Sequence, residues 1–91
     1  MYNPADMIGG LVDTVMELNI QNGISNSLDA KLDVALSALD DLNENNDAAA
    51  INSLNAFINA VEAQRGKVLT NEQADGLITQ AQAIIDLLLA Q

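Results

Sequence analysis

Asp41, Asn43, Asn45 and Asp47 alternate along the run DLNENND. That is the spacing at which an oxygen-rich loop wraps a hard divalent cation. They would fill the first, third, fifth and seventh places of a calcium loop, with Asn46 at the sharp turn. Asparagine tolerates the left-handed backbone needed there. The twelfth place, however, is Asn52 and not a bidentate carboxylate, and Ala48 stands where a larger apolar residue is usual. The ligand set is incomplete, so no metal is assigned. The run reads more simply as a polar turn whose last residue, Asp47, caps the following helix.

Asn52, Asn55, Asn59 and Glu62 recur at i, i+3, i+7 and i+10, which places them on one face of a helix. Each asparagine costs a helix up to ~0.7 kcal/mol relative to alanine, so a row of them calls for a reason. The row flanks apolar positions. The expected reason is structural: hydrogen bonds to turns or neighbouring helices that fix their register. The alternative is a polar interaction face for a ligand.

Asp29, Asp33, Asp40 and Asp41 make an acidic flank. A pair of carboxylates serves glycoside hydrolysis only in a cleft, with the pKa of one partner raised. A solvated face is the simpler reading. Asn26-Ser27-Leu28-Asp29 resembles the phosphopantetheine attachment site of acyl carrier proteins, which are also small, acidic four-helix domains. Here Asn26 replaces the aspartate, and only about Asn19 to Gly23 is left for a connection that is long in carrier proteins. Ser27 also fits an ordinary first-turn position. No catalytic residue is assigned, no cofactor is expected, and the chain is not expected to be an enzyme.

Composition narrows the classes further. The 91 residues include 13 acidic and 3 basic side chains, a net charge of −10. That charge opposes contact with nucleic-acid phosphates and anionic lipid, and favours cationic partners. Cysteine and histidine are absent, so disulfides, thiolate nucleophiles and the usual zinc ligands are too. No apolar run reaches the ~20 residues of a membrane-spanning helix. No signal peptide is visible, and the Met1-Tyr2-Asn3-Pro4 start would also fit a piece cut from a longer chain.

Four helical segments must position these side chains, at about residues 4–19, 24–43, 47–65 and 70–90. Asn3-Pro4 starts the first, with Met7, Ile8, Leu11, Val15 and Leu18 on its buried face. Gly9-Gly10 interrupts it at roughly 1 kcal/mol per glycine, so either the helix is soft there or a neighbouring backbone comes close. Leu28, Leu32, Ala35, Leu36 and Leu39 face inward from the second, and Leu54, Phe57, Ile58 and Val61 from the third. Ala49, Ala56, Ala60 and Ala63 line the third helix's other side, which suggests a central place for it. Gly66 looks like a helix-ending glycine, and Thr70 with Gln73 like a capping box. Ala74, Leu77, Ala81, Ile84, Ile85 and Leu88 form the inner face of the fourth. Short connections make sequential helices antiparallel. The expected fold is all-α, a small up-down-up-down bundle of four helices in one domain, residues 1–91, with the first helix the least secure.

The wording of the chain also resembles the FIMAH domain, a small helical module of secreted multidomain bacterial and archaeal proteins. The resemblance is carried by Gly23-Ile24, Asn26-Ser27-Leu28, Ala49-Ala50-Ile51-Asn52, Leu54 to Asn59, Gly66-Lys67, Leu69-Thr70 and Ala81 to Ile85. It departs at Asp40 to Asp47, where the family tends to have a tighter Gly-Asn turn. The resemblance implies a non-catalytic accessory module, outside the cell or at its surface. Its partners would be neighbouring domains, a surface protein or a polysaccharide, with no nucleic acid and no membrane insertion. The alternatives are a carrier modified at Ser27 and a calcium-dependent, dockerin-like module using Asp41, Asn43, Asn45 and Asp47.

Overall fold

A computed structural model describes residues 4–18, 20, 22–40 and 46–90. They form four helices: α1 (Pro4–Glu17), α2 (Asn22–Asp40), α3 (Asn46–Gln64) and α4 (Asn71–Ala90). Proline at the first position of α1 costs no hydrogen bond, because that N–H has no helical acceptor. Asp6 and Glu72 lie in the first turns of α1 and α4, where the helix dipole favours negative charge. α2 begins two residues before its expected start, taking Asn22 and Gly23 into its first turn.

The connection from α3 to α4 shows how local chemistry ends one helix and starts the next. Gly66, just past the end of α3, has φ +76°, a conformation that costs L residues a steric clash. This lets Lys67 N–H donate to Gln64 O at 2.9 Å, Leu69 N–H to the same oxygen at 3.1 Å, and Gly66 N–H to Leu69 O at 2.7 Å. The Gln64 carbonyl, left over at the helix end, is thereby satisfied twice. The capping box then starts α4. Gln73 N–H donates to Thr70 Oγ1 at 3.1 Å, and Thr70 N–H donates to Gln73 Oε1 at 3.0 Å.

The helices stand at the corners of a square. α1 packs on α2 and α4, and α3 packs on the same two; among the described residues the diagonal pairs make no close approach. The molecule measures 37 × 22 × 21 Å, which fits helices about 29 Å long arranged two by two. The alanine side of α3 therefore does not make it central: Ala49 and Ala63 are exposed, while Ala56 and Ala60 are half-buried and Ala60 packs against the core.

One core fills the square. Ile8, Leu11 and Val15 of α1 meet Leu28, Leu32 and Ala35 of α2, Leu54, Phe57 and Val61 of α3, and Leu77, Ala81 and Ile84 of α4. Phe57 is the largest fully buried side chain. Ile24, Leu36, Leu39, Ile51 and Ile58 pack at its margin and are partly buried. Gly9 and Gly10 lie within α1, and nothing comes within 4 Å of a Cβ built on either. No neighbouring backbone requires them.

Candidate functional site

Three surfaces gather the polar groups. On the first, α3 holds Asn52, Asn55, Asn59 and Glu62 in a row, all of them exposed. Among the described residues, no hydrogen bond is formed by the three carboxamides. They do not tie α3 to its neighbours, so the expected register-fixing bonds are not made. The row offers donors and acceptors together, turned to water.

Glu62 differs from the asparagines. Its Oε1 accepts from Arg65 Nη2 at 2.6 Å and Nε at 3.0 Å. Arg65 Nη2 also reaches Asp75 Oδ1 at 2.6 Å, and Nη1 donates to the Asn71 carbonyl at 3.3 Å. One guanidinium thus clips the last turn of α3 to the start of α4. Its hydrogen bonds to Glu62 first, then to Asp75, raise its pKa further above the ordinary arginine value. Glu62 sits at the end of the row as part of this clip.

The second surface is the flank of α2. Asp29 Oδ1 is buried and has no hydrogen-bond partner among the described residues. Burial, and then the charge of Asp33 one turn on, push the Asp29 carboxyl up. A raised carboxylic acid beside a second carboxylate is half of what glycoside hydrolysis requires. The other half is a cleft, and the pair does not line the groove between α1 and α4. Ser27 is exposed in the second turn of α2, not at its start, and Lys31 Nζ donates to its Oγ at 3.2 Å. The chain from α1 to α2 spans only residues 18–21. Carrier proteins place their serine at the end of a long loop, and this geometry differs.

The calcium-like positions Asp41, Asn43 and Asn45 lie outside the described residues, as does the side chain of Asp47. Among the described residues, no group of three or more acidic side chains is placed to hold a metal ion.

The third surface is an open groove of about 640 Å³ between α1 and α4. Asp6, Met7 and Gly10 line it from α1, and Gln80, Ala83 and Ile84 from α4. The sequence signal for it was Gly9-Gly10. Its meaning depended on which helix lies beside α1, and helical periodicity does not specify that.

A model of the FIMAH domain family matches residues 8–86. No curated protein and no solved structure matches the chain. Among the described residues, no helix is long and apolar enough to cross a membrane.

Proposed function

The chain belongs to the FIMAH domain family, and from that premise we propose that it is a non-catalytic accessory module of an exported multidomain protein, with Asn52, Asn55 and Asn59 as its contact face. The observation that carries this reading is the exposed carboxamide row, which makes no hydrogen bond among the described residues. Three asparagines in mid-helix weaken α3 and return nothing to its packing. A partner that uses their paired donors and acceptors accounts for them. Polysaccharide hydroxyls match that chemistry, since each hydroxyl both donates and accepts. Phe57 is buried in the core, so sugar recognition here proceeds by hydrogen bonding and not by stacking on its ring. A polar face of a surface protein is the other partner class with this chemistry.

The test is an amide-resolved NMR titration with soluble cell-wall polysaccharide. Saturable shifts clustered at Asn52, Asn55 and Asn59 are expected. An absence of shifts at high ligand concentration would remove glycan attachment and leave docking to a protein or domain as the module's role. Robust turnover of common ester or glycoside substrates would overturn the non-catalytic reading itself.

A further inference from the structure

The groove between α1 and α4 lies away from the asparagine row, which belongs to α3, and it has a different chemistry. Its floor is apolar or small: Met7, Gly10, Ala83 and Ile84. Its α1 side carries more charge at the groove than its α4 side. On α1, Asp6, Gly10, Asp13 and Glu17 follow at i, i+4, i+7 and i+11, so they share one face. Asp13 and Glu17 are exposed and form no ion pair among the described residues. On α4 the groove itself is met by the uncharged Thr79 and Gln80, and the same face continues to the exposed Asp86, i+3 from Ala83.

Charge is segregated on the same scale. α1 and α4 together carry Asp6, Asp13, Glu17, Glu72, Asp75 and Asp86 and no basic residue, with Asp75 paired to Arg65. The three cations, Lys31, Arg65 and Lys67, lie on α2 and in the α3–α4 connection. A second copy of this chain brings −10 charges to the groove and is repelled. Nucleic acid and anionic lipid are repelled for the same reason.

We propose that the α1/α4 groove docks a basic amphipathic helix of a partner protein. Its apolar stripe covers Met7, Gly10, Ala83 and Ile84, and its lysines or arginines lie along the α1 wall facing Asp13 and Glu17. Gly10 and Ala83 have no side chain beyond Cβ, and small residues let another helix approach closely. Open space at Gly10 is consistent with this: nothing of the chain's own comes within 4 Å of a Cβ built there. The acidic face from Asp6 to Glu17 rises about 16 Å at 1.5 Å per residue, so the partner helix needs roughly three turns. Its cations belong chiefly on the flank beside α1, where Asp13 and Glu17 continue the face of Asp6 and Gly10. This is the helix-in-groove mode of recognition, with charge setting the orientation.

The test uses the isotope-labelled protein and an acetylated helical peptide of ~15 residues, with a Leu/Ala stripe and lysines on one flank. Two controls carry glutamate for lysine, or the same composition scrambled to abolish the stripe. Saturable amide shifts at Met7, Gly10, Ala83 and Ile84 are expected with the basic amphipathic peptide alone. Ala83→Leu fills the groove on an exposed helical position and keeps the bundle folded. It is expected to weaken binding by about tenfold, and the pair Asp13→Lys and Glu17→Lys by at least as much. Equal binding to Ala83→Leu, equal binding of the scrambled peptide, shifts spread over the whole acidic surface, or no shifts would each overturn the proposal. Shifts confined to Asn52, Asn55 and Asn59 would also overturn it, while supporting the α3 contact face. The two readings therefore fail separately.

Discussion

Asp29 holds a carboxylate oxygen that is out of water and unbonded among the described residues. Its folded-state pKa lies above the ordinary 3.8, because of burial and then Asp33. The native chain therefore keeps this proton to a higher pH than the unfolded chain does. The stability that goes with the protonated form is complete below the unfolded value and is lost as pH rises through the raised folded one. At pH 7 the ionised group destabilises the bundle. Asp29→Ala is expected to raise stability by about 1 kcal/mol at neutral pH, since an unsatisfied buried group and a poor helix former both go. The gain should shrink near pH 4. Urea melts of both proteins at the two pH values check this, and an unchanged gain would separate the burial of Asp29 from its ionisation. Gly66 and Gly76 form a second contrast. Both have open space around them, but only Gly66 has a positive φ. Gly66→Ala is expected to cost about 1–2 kcal/mol. Gly76→Ala, in the second turn of α4, is expected to gain about 0.5–1 kcal/mol. Opposite changes in thermal midpoint would show that backbone conformation, not space, decides the sign.

At the scale of the helix, the caps are the most local devices in the chain. Thr70 and Gln73 satisfy each other's backbone N–H groups at the start of α4. Thr70→Ala is expected to cost about 1 kcal/mol and to speed amide exchange in the first turn of α4 before the rest. Uniform exchange along the helix would show that packing, not the cap, holds that end. These features were legible in the sequence because they depend on residues three or four apart. Gly66 and the Thr70–Gln73 pair behave as their spacing implies, and so does Pro4. The asparagine row was legible only as a row. Its spacing put Asn52, Asn55 and Asn59 on one face, but whether that face meets another helix is a property of the packing. Glu62 shares the row, yet its partner Arg65 also reaches Asp75 on α4, and no local pattern indicates that contact.

The whole molecule carries −10 in an envelope of 37 × 22 × 21 Å. Like charges held this close oppose compaction, and dissolved salt screens them over a Debye length of ~10 Å at 0.1 M. The thermal midpoint is expected to rise steadily from low ionic strength to about 0.5 M sodium chloride. A falling midpoint would mean that the pairs made by Arg65 outweigh the general repulsion. The core is the opposing force. Phe57→Ala is expected to cost about 3–5 kcal/mol, because the cavity it leaves at the centre of four helices has little to collapse into it.

The sequence by itself determined the four helices, the glycine and capping box between α3 and α4, the inward faces and the acidic character. Each of these follows from backbone propensity, hydrophobic period or a count of charges. Tertiary structure decided the rest. It set α3 at a corner of the square and not at its centre, because the smallness of Ala49 and Ala63 permits a neighbour without supplying one. It left the carboxamides of α3 facing water and the Asp29 oxygen away from it. It also set Gly10 of α1 and Ala83 of α4 along one groove. Those outcomes depend on contacts between residues far apart in the chain, and local periodicity holds no information about which faces meet.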